Sequence, residues 1–562
     1  MKRILFHSNN AKAFTGFGKN AKNILRHLYK TGKYEIIEFA NGSQWGDPSL
    51  KSRPWKAQGS LPNNPAIIQQ LNQDPKRGRA AGYGAETIDV AIKEYKPDIY
   101  LGVEDIWAFA DYWNKPWWNK INHLIWTTLD SQPILPQAVE AAPKTKNFYC
   151  WSSFAERDLK EMGHDHVGTL HGTVDTDDFY RLSNLERKEL RKKFGLSDEF
   201  IIGFVFRNQL RKSVPNLMEG FKIFKKDCPK AKLLLHTHWS EGWDIPRLIK
   251  EKGLKKEDIL TTYYCSACGQ YEVRPFTGQE QKCRFCGTEK SLNTTNVKAG
   301  VNEEQLNEVY NLMDVYCHPF TSGGMEIPIF EAKMTELITL VTNYSCGEDS
   351  ASQDCGSFPL DWAEYREPGT QFIKASTYPS SIAKQLKKVW QMDVSKRLQM
   401  GKKGRQWTID NYSTEAVGKK LEAILDAMPD VDYNYDWEEN KNTVVNLEDL
   451  LDDGQRIAVV MPESAGDVLW INSLMDNLKK LYPSHDIYVF TKPQFFDYIE
   501  DHPMVHKVLP YSSEIDNAHF LEGRLNHNGF FDIAFQPHYG TQRFVAYHHN
   551  GLDKTQLKLY EN

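Results

Sequence analysis

No apolar run in this 562-residue chain comes near the ~20 residues that a membrane-spanning helix needs. The opening "MKRILFHSNN" carries basic residues, but its apolar stretch is too short for a secretory signal. It reads as a first strand, and the expected compartment is the cytoplasm, that of a host cell if the chain is viral. A basic excess is also missing. Lys+Arg number 69 against 74 Asp+Glu, for a net charge of −5, so no chain-wide positive field points to nucleic acid, although a local basic groove stays open. Cysteine is scarce at nine residues, and a reducing cytoplasm argues against a disulfide framework. Low-complexity segments and short internal repeats are lacking too, which argues against a repeat architecture.

What is present suits packed cores: 40% apolar residues with 12% aromatics. The chain is longer than the roughly 250–300 residues one core supports, so two or three domains are expected. "RILFHS", "FGKNAKNILRHLYKTG" and "YEIIEFA" alternate strand and helix signals. A second such series opens at "FIIGFVF" and a third at "RIAVVMPESAGDVLWINSL". This alternation predicts an α/β chain of Rossmann-like, doubly wound parallel sheets. The divisions fall at 1–190, at 191–404 with an insertion at 263–290, at 405–430 as a helix returning to the first domain, at 431–454 as an acidic linker, and at 455–562. Residues 41–82, rich in Gly, Pro, Trp and basic side chains, read as a long functional loop.

Three stretches carry candidate chemistry. In "IIGFVFRNQLRKS" (201–213) a buried-strand pattern ends at Phe206, and Arg207, Arg211 and Lys212 follow at once. Arg207 and Lys212 would stand beyond a strand tip, where parallel sheets bind ligands, with charge to neutralise a diphosphate. "FTGFGKN" (14–20) opens a helix, and Gly16 and Gly18 would let backbone N–H groups approach a phosphate or sugar. "CHPFTSGGMEIPIFEAKMTE" (317–336) runs from a strand end through a glycine loop into a helix that carries Glu331. A carboxylate there accepts one O–H from each hydroxyl of a ribose diol. The plainer readings are a glycine turn, a solvated basic strand end and a capped helix with a surface glutamate.

The order of these stretches resembles the GT-B fold retaining glycosyltransferases of the glycogen-synthase-like, family-4-like group, over roughly residues 1–428. "WSSFAERDLKEMG" followed by "HGTVDTDDF" is similar to that group's interdomain passage. The resemblance implies an acceptor domain at 1–190 and a nucleotide-sugar donor domain at 191–404. Arg207 and Lys212 would then bind the donor diphosphate as catalytic cations, and Glu331 would hold the nucleotide ribose. The loop Gly323, Gly324, Met325 and Glu326 would contact sugar and phosphate. Asp130, in "TTLDSQP", would lie near the reacting sugar. No catalytic metal is implied. One departure stands out: the group pairs two glutamates eight positions apart, and eight residues before Glu331 lies Gly323. Glu326 comes three residues late.

Residues 263–288 hold Cys265, Cys268, Cys283 and Cys286 as two C-x-x-C pairs, each followed by glycine. Four thiolates at this spacing suit tetrahedral zinc with no open position, hence a structural zinc ribbon; disulfides are the alternative. The insertion is either a staple for a segment too small to form its own core or a docking knob for an acceptor or partner. The last segment resembles the N-terminal half of lipopolysaccharide heptosyltransferases through "GDVLW" and "HPMVHKVLPY". That likeness implies an accessory half-domain with Asp467 at an acceptor side.

The expectation is a hexosyl- or pentosyltransferase that moves a sugar from a nucleotide-diphosphate donor to a hydroxyl, with retention. Its acceptor is a glycan or a hydroxymethylated base of viral DNA. A non-catalytic GT-B scaffold and a sugar-nucleotide epimerase are the other readings.

Overall fold

The structure is a computed structural model that describes residues 1–13, 15–296, 300–432, 447–516, 521–524 and 527–537. It forms two compact units, Met1–Tyr435 and Asp436–Asn562.

Two parallel sheets build the first unit, one in each of two lobes. The first lobe contains β1 (Lys2–Asn9), β2 (Tyr34–Gln44), β3 (Lys56–Leu61), β4 (Ile99–Val103), β5 (Asn122–Thr127), β6 (Asn147–Cys150) and β7 (Gly168–Thr169). Their order is β3-β2-β1-β4-β5-β6-β7, with every neighbouring pair parallel. Ile4, Leu5 and Phe6 are buried on both faces of the sheet, as are all five residues of β4. Cover on both faces is why these strands read as continuous apolar runs rather than alternating ones.

The second lobe contains β8 (Phe200–Val205), β9 (Ala231–His236), β10 (Ile259–Cys265), β11 (Tyr271–Pro275), β12 (Leu292–Thr294), β13 (Val315–His318), β14 (Thr339–Thr342) and β15 (Ser357–Leu360). Its order is β11-β10-β9-β8-β13-β14-β15. The pairs are parallel except that β11 and β12 both run antiparallel to β10. A hairpin of β16 (Trp362–Arg366) and β17 (Ile373–Thr377) follows.

Each sheet reverses its strand order at one place, between β1 and β4 in the first lobe and between β8 and β13 in the second. Ligands of open parallel sheets bind outside the carboxyl ends of strands at such switch points. The loops after β1, β4, β8 and β13 are therefore where a site belongs, and those after β1, β8 and β13 carry motifs singled out above. The helix Thr414–Ala427 packs on the first lobe: Val417, Leu421 and Leu425 join its core, and His27 bonds Glu422 at 2.7 Å.

Residues 41–82 are not a loop. They complete β2, form a short 3-10 turn at Pro48–Ser52 and the edge strand β3, then the helices Pro65–Gln73 and Pro75–Gly82. Pro65 and Pro75 each stand at the first helical position, where proline's missing N–H costs nothing, and Asp74 accepts from the amides of Lys76 and Arg77. Turn-rich composition hid short elements.

The second unit holds a four-stranded parallel sheet of β18 (Gln455–Val460), β19 (His485–Thr491), β20 (Lys507–Pro510) and Ile533–Phe535, with β18 and β19 central. Asp467 caps a helix here. Ser464 and Asp467 exchange the reciprocal bonds of a capping box at the start of Ala465–Asn472. Most of the acidic linker, residues 433–446, lies outside the described residues.

Candidate functional site

The centre of the second lobe's switch point is a buried charge cluster. Past β8 the chain turns, with the Lys212 amide donating to the Gln209 carbonyl, and this turn sends Arg211 and Lys212 inward together. Both pair with the carboxylate of Glu326, Arg211 through Oε1 and Lys212 through Oε2. His318, at the end of β13, stands with Nε2 3.0 Å from the same carboxylate and Nδ1 2.9 Å from the Tyr316 hydroxyl, whose own proton goes to the Val205 carbonyl at 3.0 Å. Burial pushes the Glu326 carboxyl up, but the charges of Arg211 and Lys212 and the histidine bond together hold it well below its usual range. Burial, then the Arg211 charge, brings the Lys212 ammonium down to about 8. His318 falls to about 4, chiefly through burial, and is neutral.

Glu326 also bears on the departure at Gly323. A Cβ built on Gly323 would stand 2.5 Å from Glu326 Oε1. The Glu326 carboxylate thus occupies the space beside Gly323. Any side chain at 323 would collide with it.

A second pair crosses between the lobes. Lys19, in the first turns of the helix Gly16–Thr31, donates to Glu331 Oε1 at 3.0 Å, and the Tyr310 hydroxyl donates to Oε2 at 2.8 Å. Glu331 is buried, whereas the Lys19 side chain is 34% exposed. Around them a crevice lined by Lys19, Lys22, Thr173, Asp178, Ile327 and Glu331 has a volume of ≈ 20 Å³. Small-molecule sites occupy roughly 300–1,000 Å³, so in this arrangement the crevice is too small to hold one.

The other expected residues fall into distinct settings. Gly16 faces Ile327, and a Cβ there would stand at an ordinary 3.4 Å. Gly18 is needed by the loop itself: its amide donates to Thr15 Oγ1 at 3.0 Å, and a Cβ would overlap the Ala13 carbonyl. Gly18→Ala is expected to cost about 1–3 kcal/mol, the usual range for forced overpacking, measurable as a lowered denaturant midpoint. Gly324 lies against Thr128 of the first lobe with no room for a Cβ. Met325 packs into both lobes' cores, with its Sδ against Gly172. Asp130 accepts from Ser131 Oγ at 2.9 Å and Ser322 Oγ at 3.3 Å, and its carbonyl accepts from Ser345 Oγ at 2.7 Å. Arg207 is not brought to Lys212. Its side chain is half exposed and pairs with Glu241 at 3.0 Å.

On the first lobe's side of the crevice, Glu104 and Asp105 follow β4. Burial raises the Glu104 carboxyl to about 8, against a bond from Asn41. Asp105 accepts from Thr128 and is also raised, mainly by burial. Close by, the Arg79 guanidinium lies 4.1 Å from the Trp107 ring centroid, with Tyr83 edge-on to the same ring.

The cysteines converge. Cys265, Cys268, Cys283 and Cys286 place all four sulfurs within 4.8 Å of one another. Cys265 and Cys286 are 3.7 Å apart, Cys268 and Cys283 3.8 Å. A metal–sulfur bond of ~2.3 Å in a tetrahedron sets a sulfur–sulfur edge of roughly 3.8 Å, so the donor set fits zinc, and these separations are far from a disulfide's ~2.05 Å. Gly269 and Gly287 adopt φ of 73° and 75°, the left-handed turn that returns each knuckle. The insertion is not a detached knob. β10 pairs with β9 inside the sheet and ends on Cys265.

Sequence reading missed Lys19 and Tyr310 as partners of Glu331, and Lys374, whose Nζ bonds the hydroxyls of Ser131 and Ser322. Lys19 sat within the glycine motif, and Arg211 within the basic strand end, so both were visible as residues without their roles. Nothing in "FIKAS" marks Lys374.

No family model matches the sequence, and no curated protein matches it. Solved structures do. HepE of Anabaena, determined with UDP and glucose, superposes with a TM-score of 0.51 at 11% identity, over 76% of this chain and all of its own. A glycosyltransferase of Rickettsia africae gives 0.52 at 14% identity, over 75% and 97%. Sucrose-phosphate synthase of Thermosynechococcus elongatus gives 0.51 at 13%, over 75% and 97%. Two facing Rossmann-like lobes joined by a returning helix are the GT-B fold, and that is the fold of this chain.

Proposed function

We propose that the first unit is a retaining glycosyltransferase that uses a nucleotide-diphosphate sugar. The observation that carries this reading is the pair of buried carboxylates, Glu326 and Glu331, each met by cations at the switch point between the two lobes. HepE was solved with UDP-glucose as well as with UDP, which makes a uridine donor the first to try.

In this reading the lobes part and the ribose diol takes the place of Lys19 on Glu331, while Tyr310 keeps the second oxygen. The diphosphate lies over Arg211 and Lys212. As the bond between the anomeric carbon and the leaving oxygen breaks, negative charge gathers on the diphosphate, and these cations stabilise it in a site that excludes water. The acceptor hydroxyl attacks from the same face and passes its proton to a leaving phosphate oxygen, so no protein base and no metal is required. Arg207 joins from the rim. Its exposed pair with Glu241 is worth only about 0.2–1 kcal/mol, too little to hold it from a diphosphate. Glu326, already hydrogen-bonded in the space beside Gly323, orients the donor sugar. The scaffold reading leaned on a missing carboxylate at 323; in the present reading Glu326 takes that part.

The acceptor docks over the first lobe's strand tips. A glycan hydroxyl is the first acceptor to try, ahead of a hydroxymethylated base. The four cysteines hold a structural zinc ion, whose full coordination supplies no chemistry to transfer. Among the described residues no helix is long and apolar enough to cross a membrane.

The test is release of nucleoside diphosphate from UDP-, GDP-, ADP- and dTDP-sugars with a panel of glycan and hydroxymethyl-DNA acceptors, the product's anomer being read by NMR. Transfer with retention from one donor is expected; release from none, or an inverted product, overturns the reading. The rate is further expected to fall above about pH 8, the position of the Lys212 ammonium, because deprotonation removes the stabilising charge. A kcat/KM profile that is flat to pH 10 would contradict Lys212's role.

A further inference from the structure

Lys374, in β17, lies under the Ser322–Gly324 loop and is 7% exposed. Its Nζ donates to Ser131 Oγ at 2.5 Å and to Ser322 Oγ at 2.6 Å, one hydroxyl from each lobe. Among the described residues Lys374 forms no ion pair. Asp130 is reached only through these two hydroxyls, which both donate to its carboxylate. A buried ammonium without a direct counter-charge is costly, and hydroxyls satisfy its hydrogen bonds but not its charge.

A second buried lysine shows what a purely structural one looks like here. Lys333 donates to the main-chain carbonyls of Ser350 and Cys355 and to Ser357 Oγ, all within the second lobe. It ties the helix Ile327–Met334 to the segment that leads into β15. Lys374 instead holds two rotatable side chains, one of which leaves when the lobes separate. Its position adds to the contrast. Ser322 is flanked on its other side by Arg211, whose Nη1 donates to the Ser322 carbonyl at 3.2 Å. Arg211 and Lys212 share one carboxylate, Glu326. Lys374 is the cation at this loop that pairs with no carboxylate among the described residues; the Phe372 ring, its centroid 5.5 Å from Nζ, is the only group that faces its charge there.

We infer that Lys374 is a further phosphate-binding residue of the crevice. When the lobes part, its ammonium and the Ser322 hydroxyl meet a phosphoryl oxygen of the donor diphosphate in place of Ser131. The anion site follows from the lysine and its hydroxyls. That the anion is a donor's diphosphate rests on the nucleotide-sugar reading above.

The test uses inorganic pyrophosphate, UDP and uridine, titrated calorimetrically into the full-length wild-type protein, Lys374→Gln and Lys374→Arg. Glutamine keeps donors to both serines and removes only the charge, and arginine keeps the charge. Pyrophosphate and UDP are expected to bind at least tenfold more weakly to Lys374→Gln, with Lys374→Arg within threefold of wild type and uridine indifferent to either change. A merely structural lysine would shift the melting temperature of Lys374→Gln without separating pyrophosphate from uridine. Equal pyrophosphate affinity in wild type and Lys374→Gln overturns the inference, as does wild-type protein that binds neither anion. If Lys374→Gln does not fold, the arginine variant decides: loss of pyrophosphate binding there overturns it. Wild-type binding of pyrophosphate but not of any nucleotide, still dependent on Lys374, keeps this site and sinks the nucleotide-sugar reading instead.

Discussion

Lys212→Met is expected to lower transfer by about 10²–10³-fold, the usual loss when one preorganised charge is removed from a transition state. The variant is also expected to be less stable. Lys212 is buried against Glu326, and breaking a buried pair by removing one partner costs about 3–5 kcal/mol because the other charge stays behind. Arg211 and His318 still meet the Glu326 carboxylate, which places the cost toward the low end. These two effects separate in the double variant Lys212→Met with Glu326→Gln. Neutralising both partners of a buried pair is often without net cost, so its melting temperature is expected to recover toward wild type. Transfer is not, since the cation is still absent and the Glu326 carboxylate that orients the donor sugar is neutralised as well. Transfer that recovers with stability would mean that Lys212 only holds the fold.

Metal removal is the second large effect. One zinc ion per chain is expected by elemental analysis, and none in Cys265→Ser with Cys283→Ser. The local core beneath the cysteines is only Tyr263, Cys265, Cys283 and Leu292, with Phe276 against it, far too little apolar surface to order the segment alone. Structural zinc supplies about 10–16 kcal/mol of apparent binding free energy in small sites at neutral pH. Because β10 is part of the second lobe's sheet and ends on Cys265, stripping the metal loosens β12 from it, while β11 stays held by Tyr271 and Val273 in the lobe's main core, and the uncovered edge of β10 is a route to aggregation. Treatment with a strong chelator is expected to lower the melting temperature by several degrees and to bring on light scattering. Unchanged melting after complete zinc loss would show that the ribbon folds without it.

Much of this architecture was legible because buried parallel strands read as apolar runs and because the charged residues follow them directly. "FIIGFVFRN" shows both at once: the strand ends and the cations begin at the carboxyl end of the sheet. Residues 41–82 were harder, since short helices opened by proline and an edge strand have the composition of a loop. The site's residues were visible more often than their partners. Glu326 was in view three positions from its expected place, but only the fold shows its carboxylate lying over Gly323. Arg207 and Arg211 are equally basic in sequence, and the turn at Gln209–Lys212 decides which of them faces Glu326. Contacts between lobes, such as Lys19 with Glu331 and Lys374 with Ser131, join residues more than 200 positions apart. No local pattern encodes them.

The most direct measurement concerns the grip of Glu331 on a ribose. Calorimetric titration of UDP, GDP, ADP and dTDP should find one nucleoside diphosphate that binds the wild-type protein. For that nucleotide, Glu331→Ala and removal of both ribose hydroxyls should each weaken binding at least tenfold, and together should cost little more than either alone, because they break the same contact. If every nucleoside diphosphate fails to bind, or if binding ignores Glu331, the crevice does not hold a nucleotide sugar.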